Sequence, residues 1–427
     1  MPTHARTSAR PYLCTFLCVG LVVVLRHVMT FVFPVMHCED GTFNFAFFYN
    51  NHDIRGLLRF NAEYVEFLPN LAGYCIYYLP TRWAPYLLAL IALVFACMAY
   101  SVPCRTLFRA IIPDQGHCFA LALLLALVPA GNHALVSCTH YLIWNALFIV
   151  IMLALLPPPA SRRALGLRLI CFFFLITTSP ATIVIMPLLL YTLWRHRSRL
   201  VMLYTLTITA ILMLYQAIGV RHAQLPLDNM LRAVPVALRY VVEKVGFELI
   251  AGNSAREYLY VCGHGSWVLI FGLLLTIVMA TVIYCHRHTL NMAFIMQLVY
   301  AIFAITYLYI LGRGVTSAIF APHMNTALRY AYVPKLLLIV LLYYVTWRCW
   351  PPLCRWPRRI GLVMLVLLLL FQSYTNWYSY RTDVSRGRYL YAFLKEVRQR
   401  EVQNGGKYNI NMVFDYHSWP FHLRGKE

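Results

Sequence analysis

The sequence predicts an all-α polytopic membrane protein with about 11 transmembrane helices, and three observations lead to this fold class. Of the 427 residues, 61% are hydrophobic and only 12% are charged, which is about half the charged fraction of a typical soluble protein. The apolar runs are long, and about 20 apolar residues cross the hydrocarbon core as a helix. Aromatic residues make up 15% of the chain, and many Tyr lie near the ends of apolar runs, where interfacial belts form.

Each predicted helix follows from one apolar run. The eleven segments are 13–34, 84–102, 117–131, 136–156, 164–178, 180–194, 200–219, 265–285, 291–311, 332–347 and 360–377. Two pairs are joined by tight breaks, PAGNHALV and TTSP, and such pairs also occur as helical hairpins that do not cross the bilayer fully. We therefore divide the chain into a membrane domain, 1–377, and a small C-terminal tail, 378–427, in which helical spacing of apolar residues precedes a strand-like alternation.

The positive charge indicates orientation. The formal net charge is +21, and Lys and Arg concentrate in the short loops on the side of the N-terminus, which predicts that this side is cytoplasmic and that the C-terminus is extracytoplasmic. Lys and Arg in such short loops contact anionic lipid headgroups, so no nucleic-acid partner is expected. The 13 Cys include no CxxC spacing, which argues against a zinc site or a disulfide framework.

The first long loop, 35–83, is the first candidate for chemistry. Glu39 and Asp40 directly follow the first segment, and Asp53, Glu63 and Glu66 bring the loop to five of the 15 acidic residues in the chain. Carboxylates at the mouth of an apolar bundle are costly unless they have a partner or a task. The pair can act as a general base or bind a cation, or it can cap the helix that GTFNFAFFYNN predicts.

Two arginines flank a later loop on the same predicted side. Arg313 follows the ninth segment directly, and Arg329 and Tyr330 precede the tenth. Arginine binds phosphate through two parallel hydrogen bonds, although a single Arg at a membrane rim also extends to lipid headgroups. Arg26 and His27 lie within the first apolar segment, and the sequence leaves their role undecided.

The motifs in these regions resemble a known family. EDGTFNFAFFYN, GLLRFNAEYVEFLPNLAGYCIYYLPTRWAPY, SPATIVIMPLLLYTLWRHR and RGVTSAIFAPHMNTALRYAYVP are similar to stretches of bacterial integral-membrane glycosyltransferases of the GT-C superfamily. The resemblance implies that Glu39 or Asp40 is the catalytic base and that Arg329 and Arg313 bind the donor phosphate. From the residues themselves we also assign Tyr330, His52 and Glu63 to substrate binding, and His52 is a further candidate base. One departure is Asn70 after Pro69, where relatives often have Arg.

We therefore expect an enzyme, a glycosyltransferase of the bacterial inner membrane. On the extracytoplasmic face it would transfer a sugar from a polyprenyl-phosphate donor to an envelope glycan or glycolipid acceptor. This chemistry requires no cofactor, although carboxylates of this kind can bind a divalent cation. Three alternatives remain open, namely a transporter or flippase of lipid-linked sugars, a polysaccharide polymerase with an Arg-rich loop at 220–264, and a membrane scaffold without catalytic activity.

Overall fold

The computed structural model describes residues 10–36, 40–61, 64–105, 108–109, 111–128, 134–157, 161–196, 210, 227–313, 328–349, 363, 366–367, 370, 385–403, 412–416 and 419–424. These residues are mainly helical. The α-helices discussed below are α1 (Arg10–Arg26), α2 (Val28–Val32), α3 (Ala46–Asn51), α4 (Phe67–Tyr77), α5 (Ala84–Ser101), α6 (Gln115–Leu127), α7 (Ala134–Ser137), α8 (Leu142–Ala154), α9 (Arg162–Ile176), α10 (Ile185–His196), α11 (Leu227–Tyr240), α12 (Glu248–Ala251), α13 (Asn253–Val261), α14 (Gly265–Cys285), α15 (Met292–Arg313), α16 (Leu328–Cys349) and α17 (Ser385–Gln403).

Four helices within the described ranges are long and apolar enough to cross a membrane. They are Thr81–Cys104, Gly265–Cys285, Met292–Gly312 and Arg329–Cys349. Shorter apolar helices cover Pro11–Arg26, Gln115–Leu127, Leu142–Ala154 and Pro180–Thr192. The structure thus supports a helical membrane protein. The number of 11 spans stays a prediction, and most of the segments 200–219 and 360–377 lies outside the described residues.

The helices differ in how far they are enclosed by the protein. The most apolar stretch of α16 is 78% buried, whereas that of α14 is 11% buried. An apolar helix that the protein leaves exposed matches a lipid environment, so α14 lies at the periphery and α16 at the centre. Around α16, the buried core includes side chains of α5, α6, α8 and α15.

Two predicted segments are each divided in the structure, and a side-chain contact with another part of the chain accompanies each break. The run 13–34 breaks at His27 into α1 and α2, and the Arg26 guanidinium donates to the carbonyls of Ala126 and Val128, at the end of α6. Arg26 therefore caps a neighbouring helix. The run 136–156 breaks between α7 and α8, where the backbone turns to meet Asp40.

The first loop folds into short elements. Asp40–Phe45 is a π-helical turn that leads into α3, and a 3₁₀ turn, Ile54–Leu58, is followed by the antiparallel strands β1 (Phe60–Asn61) and β2 (Tyr64–Val65). Helix α4 then packs against the π-helical turn. Gly73 permits this contact, because a Cβ atom there would meet the Asn44 carbonyl oxygen at 2.4 Å. The aromatic stretch thus forms a π-helical turn and the short helix α3, whose residues Ala46, Phe48 and Tyr49 are buried. Its location at the membrane surface stays a prediction.

The C-terminal tail packs on this first loop. Leu390, Phe393 and Val397 are buried on one face of α17, which confirms the predicted amphipathic helix. Phe393 and Val397 share a core with Phe45 of the π-helical turn. The tail ends in an antiparallel hairpin of β3 (Met412–Tyr416) and β4 (Trp419–Leu423), and the Arg424 backbone N–H donates to the Asn50 side chain at 2.8 Å.

Candidate functional site

Asp40 forms the base of the candidate site. It begins the π-helical turn of the first loop and is 1% exposed. Its Oδ2 accepts a hydrogen bond from the Thr139 backbone N–H at 3.0 Å, and its Oδ1 accepts from the Thr139 hydroxyl at 2.6 Å and from the His140 backbone N–H at 2.7 Å. These three donors come from the break between α7 and α8. The carboxylate therefore fixes the backbone of residues 139 and 140.

Burial dominates the electrostatics of Asp40. Removal from water raises the pKa of its carboxyl group above the ordinary value of 3.8, while hydrogen bonds from Thr139, His140 and Cys138 act in the opposite direction. Desolvation is the largest of these effects, because a charged carboxylate loses more hydration than the neutral acid.

Glu66 and His140 form a second contact at the same break. Glu66 Oε2 lies 3.1 Å from His140 Nδ1, and the Glu66 side chain is 2% exposed whereas that of His140 is 12% exposed. An ionised carboxylate can only accept, so it holds the proton on Nδ1 and leaves Nε2 as the acceptor of the neutral ring. The charge of Glu66 also acts on Arg59, whose guanidinium lies 3.8 Å from the centre of the Phe47 ring.

A cavity of about 130 Å³ lies beside His140, and we call it the outer cavity. Its polar lining residues are His140, Tyr141, Ser179, Tyr309, Arg329 and Tyr330. Trp144, Pro180 and other apolar residues complete the wall. A cavity below about 300 Å³ encloses one chemical group of a ligand rather than a whole lipid. The outer cavity therefore brings an imidazole, a guanidinium and several hydroxyl groups around one small volume.

Arg329 is the cation of the outer cavity. It is the second residue of α16, where the helix dipole adds partial positive charge. Its Nη1 donates to the Tyr141 hydroxyl at 2.9 Å, and its guanidinium lies 5.3 Å from the centre of the Tyr330 ring. Tyr330 in turn packs edge-on against Trp144 at 5.5 Å. These aromatic contacts fix the direction of the guanidinium.

The residues predicted from the sequence fall into three groups. Arg329 and Tyr330 line the outer cavity, and Asp40 lies behind its lining, where it accepts a hydrogen bond from the backbone N–H of the lining residue His140. His52 instead lies exposed at the end of α3, with its ring 5.4 Å from Tyr77, and it does not line the cavity. Glu39 and Glu63, and the side chain of Arg313, lie outside the described residues.

The structure adds three residues that the sequence did not assign to the site. His140 and Tyr141 lie within SCTHY, a polar stretch inside a run that predicts one continuous segment. Glu66 was one of several loop acids, with nothing in its neighbours to distinguish it. One feature of the sequence does indicate His140. Three polar or titratable residues, Ser137, Thr139 and His140, cluster at the start of an apolar run.

A second charged cluster is buried away from the cavity lining. Glu248 Oε1 lies 2.5 Å from Arg256 Nε and 4.0 Å from Lys244 Nζ, and Glu248 Oε2 accepts a hydrogen bond from Lys335 Nζ at 2.8 Å. Burial lowers the pKa of Lys244 to about 8. One carboxylate therefore holds α12, α13 and α16 together through three cations. Buried Tyr240 lies within electrostatic range of both Glu248 and Tyr330, so this cluster lies behind the cavity wall.

Neither a search for metal ligands nor comparison with known proteins assigns a function to the site. In the described part of the chain, no group of three or more His, Cys, Asp or Glu residues is arranged to hold a metal ion. Comparison with protein-family models, with curated proteins and with solved structures finds no match for this chain.

Proposed function

We propose that this protein is a membrane glycosyltransferase that moves a sugar from a polyprenyl-phosphate donor to the hydroxyl group of a glycan or glycolipid acceptor. One observation carries the proposal: His140, held by Glu66 and by the turn that Asp40 fixes, lines the same small cavity as Arg329. A proton acceptor and a phosphate-binding cation around one volume are the two groups that this transfer needs.

The reaction assigns a role to each group. The acceptor oxygen attacks the anomeric carbon of the sugar and loses its proton to the base. The bond from the anomeric carbon to the phosphate oxygen breaks, and the polyprenyl phosphate leaves with the electron pair. Arg329 stabilises the negative charge on the leaving phosphate by charge-assisted hydrogen bonds. The donor lipid stays in the membrane, and only its phosphate enters the outer cavity, which has room for one such group.

The contacts favour His140 as the base. The resemblance to the GT-C superfamily assigns the base to Glu39 or Asp40, but both oxygens of Asp40 already accept hydrogen bonds from the chain. Asp40 is then a positioning residue that holds the turn carrying His140. The ionised Glu66 orients the ring and stabilises the imidazolium that forms. The role of Glu39 stays a prediction.

The proposed location is the extracytoplasmic face of a bacterial inner membrane. The outer cavity lies at the ends of α8 and α16 that adjoin the first loop, and the positive-inside distribution of Lys and Arg predicts that this loop lies outside the cytoplasm. The proposed partners are therefore the polyprenyl-phosphate sugar and an envelope glycan or glycolipid, both available at that face.

The test is sugar transfer in proteoliposomes with a panel of radiolabelled polyprenyl-phosphate sugars and an envelope extract as acceptor. We expect transfer by the wild type, loss of about 100-fold or more in His140→Gln, and a smaller loss in Glu66→Gln. His288→Gln is the matched control, because His288 lies exposed in the turn after α14. Unchanged transfer in His140→Gln together with loss in Asp40→Asn would return the base to the first-loop acid. No transfer from any donor would overturn the proposal.

A transporter of lipid-linked sugars is the second candidate. The buried cluster around Glu248 favours it, since Lys335 lies within a candidate span and ionisable groups there often mark transport pathways. Arg239 is one of the arginines of the loop 220–264 on which the polymerase alternative rests, and its Nε lies 2.7 Å from Glu243 Oε1. Movement of a labelled lipid between leaflets, without sugar transfer in the same proteoliposomes, would favour the transporter.

A further inference from the structure

A second cavity, of about 170 Å³, lies at the opposite end of the helices that line the outer cavity, and we call it the inner cavity. Helix α8 contributes Trp144 to the outer cavity and leads to Leu155 in the inner one, which corresponds to about 16 Å along the axis. Helix α15 contributes Tyr309 and Gln297 in the same way, about 18 Å apart. The two cavities are therefore separate sites.

The region between the cavities is packed with apolar side chains. Leu147 and Ile151 of α8 and Leu298, Ala301 and Ile305 of α15 are each 0% exposed. A charged or sugar group could not pass through this packing without a large desolvation cost. The inner cavity therefore does not extend the outer one, and its ligand reaches it from its own end of the molecule.

The chemistry of the inner cavity is that of an anion site at a membrane surface. Arg195, exposed in the last turn of α10, lines it together with the side chains of Thr192, Asn291 and Gln297. Among the described residues, Arg195 makes no ion pair. Gln297 Nε2 lies 3.3 Å from the Thr192 hydroxyl, so the amide is held at the wall. One cation and several hydrogen-bonding groups suit a phosphate diester.

The surroundings of the cavity indicate where such a phosphate comes from. Tyr191 and Trp194 lie beside Arg195, exposed, with ring centres 6.2 Å apart, and aromatic residues of this kind mark the headgroup level of a bilayer. Arg162, at the start of α9, and Arg287, in the turn after α14, lie on the side that the charge distribution predicts to be cytoplasmic. Basic pockets between membrane helices on that side bind anionic lipid headgroups.

We propose that the inner cavity binds the phosphate-bearing headgroup of an anionic phospholipid. The headgroup phosphate would accept hydrogen bonds from the Arg195 guanidinium and from the side-chain amide N–H groups of Asn291 and Gln297, whereas the Thr192 hydroxyl donates to the Ala154 carbonyl at 3.1 Å and holds the Gln297 amide. The acyl chains would remain in the membrane beside Trp194. This site is independent of the proposed sugar transfer, because it shares no lining residue with the outer cavity.

The test is native mass spectrometry of the full chain in detergent, with phosphatidylglycerol and phosphatidylcholine of the same acyl composition. We expect preferential retention of phosphatidylglycerol and a loss of about fivefold in affinity for Arg195→Gln, with Gln297→Leu showing a smaller loss. Arg162→Gln, which removes an exposed Arg from the start of α9, is the matched control and should retain the wild-type affinity.

Three results would overturn the assignment. Equal retention of the two lipids, or equal retention of phosphatidylglycerol by the wild type and Arg195→Gln, would show that the cavity does not select an anionic headgroup. A third measurement adds inorganic phosphate and asks whether it competes with phosphatidylglycerol for the inner cavity. If free phosphate binds the wild type while phosphatidylglycerol is not retained, the site takes a soluble phosphate and not a lipid.

Discussion

The backbone N–H of His140 donates to Asp40 Oδ1 at 2.7 Å, across a sequence separation of 100 residues. This bond joins the first loop to the break between α7 and α8. It also sets the position of an imidazole that lines the outer cavity. The buried Asp40 carboxylate thus fixes the backbone of residues 139 and 140, and this backbone in turn positions the His140 side chain at the candidate site.

Replacement of Asp40 by Ala should destabilise the protein. The change leaves the Thr139 N–H, the Thr139 hydroxyl and the His140 N–H without their acceptor, and each buried unsatisfied group costs about 1–3 kcal/mol. We expect the free energy of unfolding to fall by about 3 kcal/mol or more, measured by thermal unfolding in detergent. Asp53→Ala, which removes only the acceptor for the Arg55 N–H near the surface, is the control and should have a much smaller effect.

The raised pKa of Asp40 gives a signed pH dependence. Burial raises this pKa above 3.8, so the folded state binds a proton at pH values where the unfolded state has lost it. The contribution of Asp40 to stability is therefore greatest below pH 3.8 and declines as the pH rises through the folded-state pKa. Unfolding measured from pH 3 upward should show this decline in the wild type and not in Asp40→Asn. An identical slope in both proteins would contradict the assignment.

Arg329→Lys should reduce sugar transfer although it keeps the positive charge. Lysine lacks the planar group that bonds Tyr141 and stacks on Tyr330, and it cannot bind phosphate through two parallel bonds. We expect a loss of at least about tenfold in kcat/KM in the lysine variant and a greater loss in Arg329→Gln. The proteoliposome assay measures both. Equal activity of Arg329→Lys and the wild type would show that the fixed guanidinium is not needed.

Removing the charge of Glu248 should destabilise the protein more than removing the charge of Lys335. Glu248→Gln leaves Arg256, Lys244 and Lys335 buried without the carboxylate that they share, and breaking a buried pair in this way costs about 3–5 kcal/mol. Lys335→Met removes one of three cations and preserves most of the volume, so its effect should be much smaller. Unfolding temperatures of the two variants provide the comparison, and a larger effect of Lys335→Met would contradict this account.

Gly73→Ala tests the contact between α4 and the π-helical turn. Its Cβ atom would lie 2.4 Å from the Asn44 carbonyl oxygen, so the turn that carries Asp40 must shift, at a cost of about 1–3 kcal/mol. Gly166→Ala in α9 is the matched control, because nothing lies within 4 Å of its Cβ position and alanine favours a helix. We expect lower stability and lower transfer activity only in Gly73→Ala.

The sequence predicted those parts of the site that charge and hydropathy make visible. Asp40 and Arg329 each adjoin a long apolar run, where a charged residue is conspicuous, and both lie at the candidate site. His140 was not found, because it belongs to a run that reads as one segment, 136–156. That run breaks at the residues whose backbone N–H groups donate to Asp40, which is distant in sequence. His52 was assigned from its closeness in sequence to the acids, and α3 instead carries it to the surface.

The packing of the C-terminal tail on the first loop has a consequence for biogenesis. Asp40 belongs to the first loop, whereas Phe393 and Val397, which share a core with its turn, belong to α17, far later in the chain. The loop therefore cannot complete its packing until α17 has been synthesised and lies on the same side of the membrane as the loop. A chain interrupted before α17 would insert its helices and yet leave the apolar surface around Phe45 uncovered. Such exposed surface is what quality-control proteases and chaperones recognise.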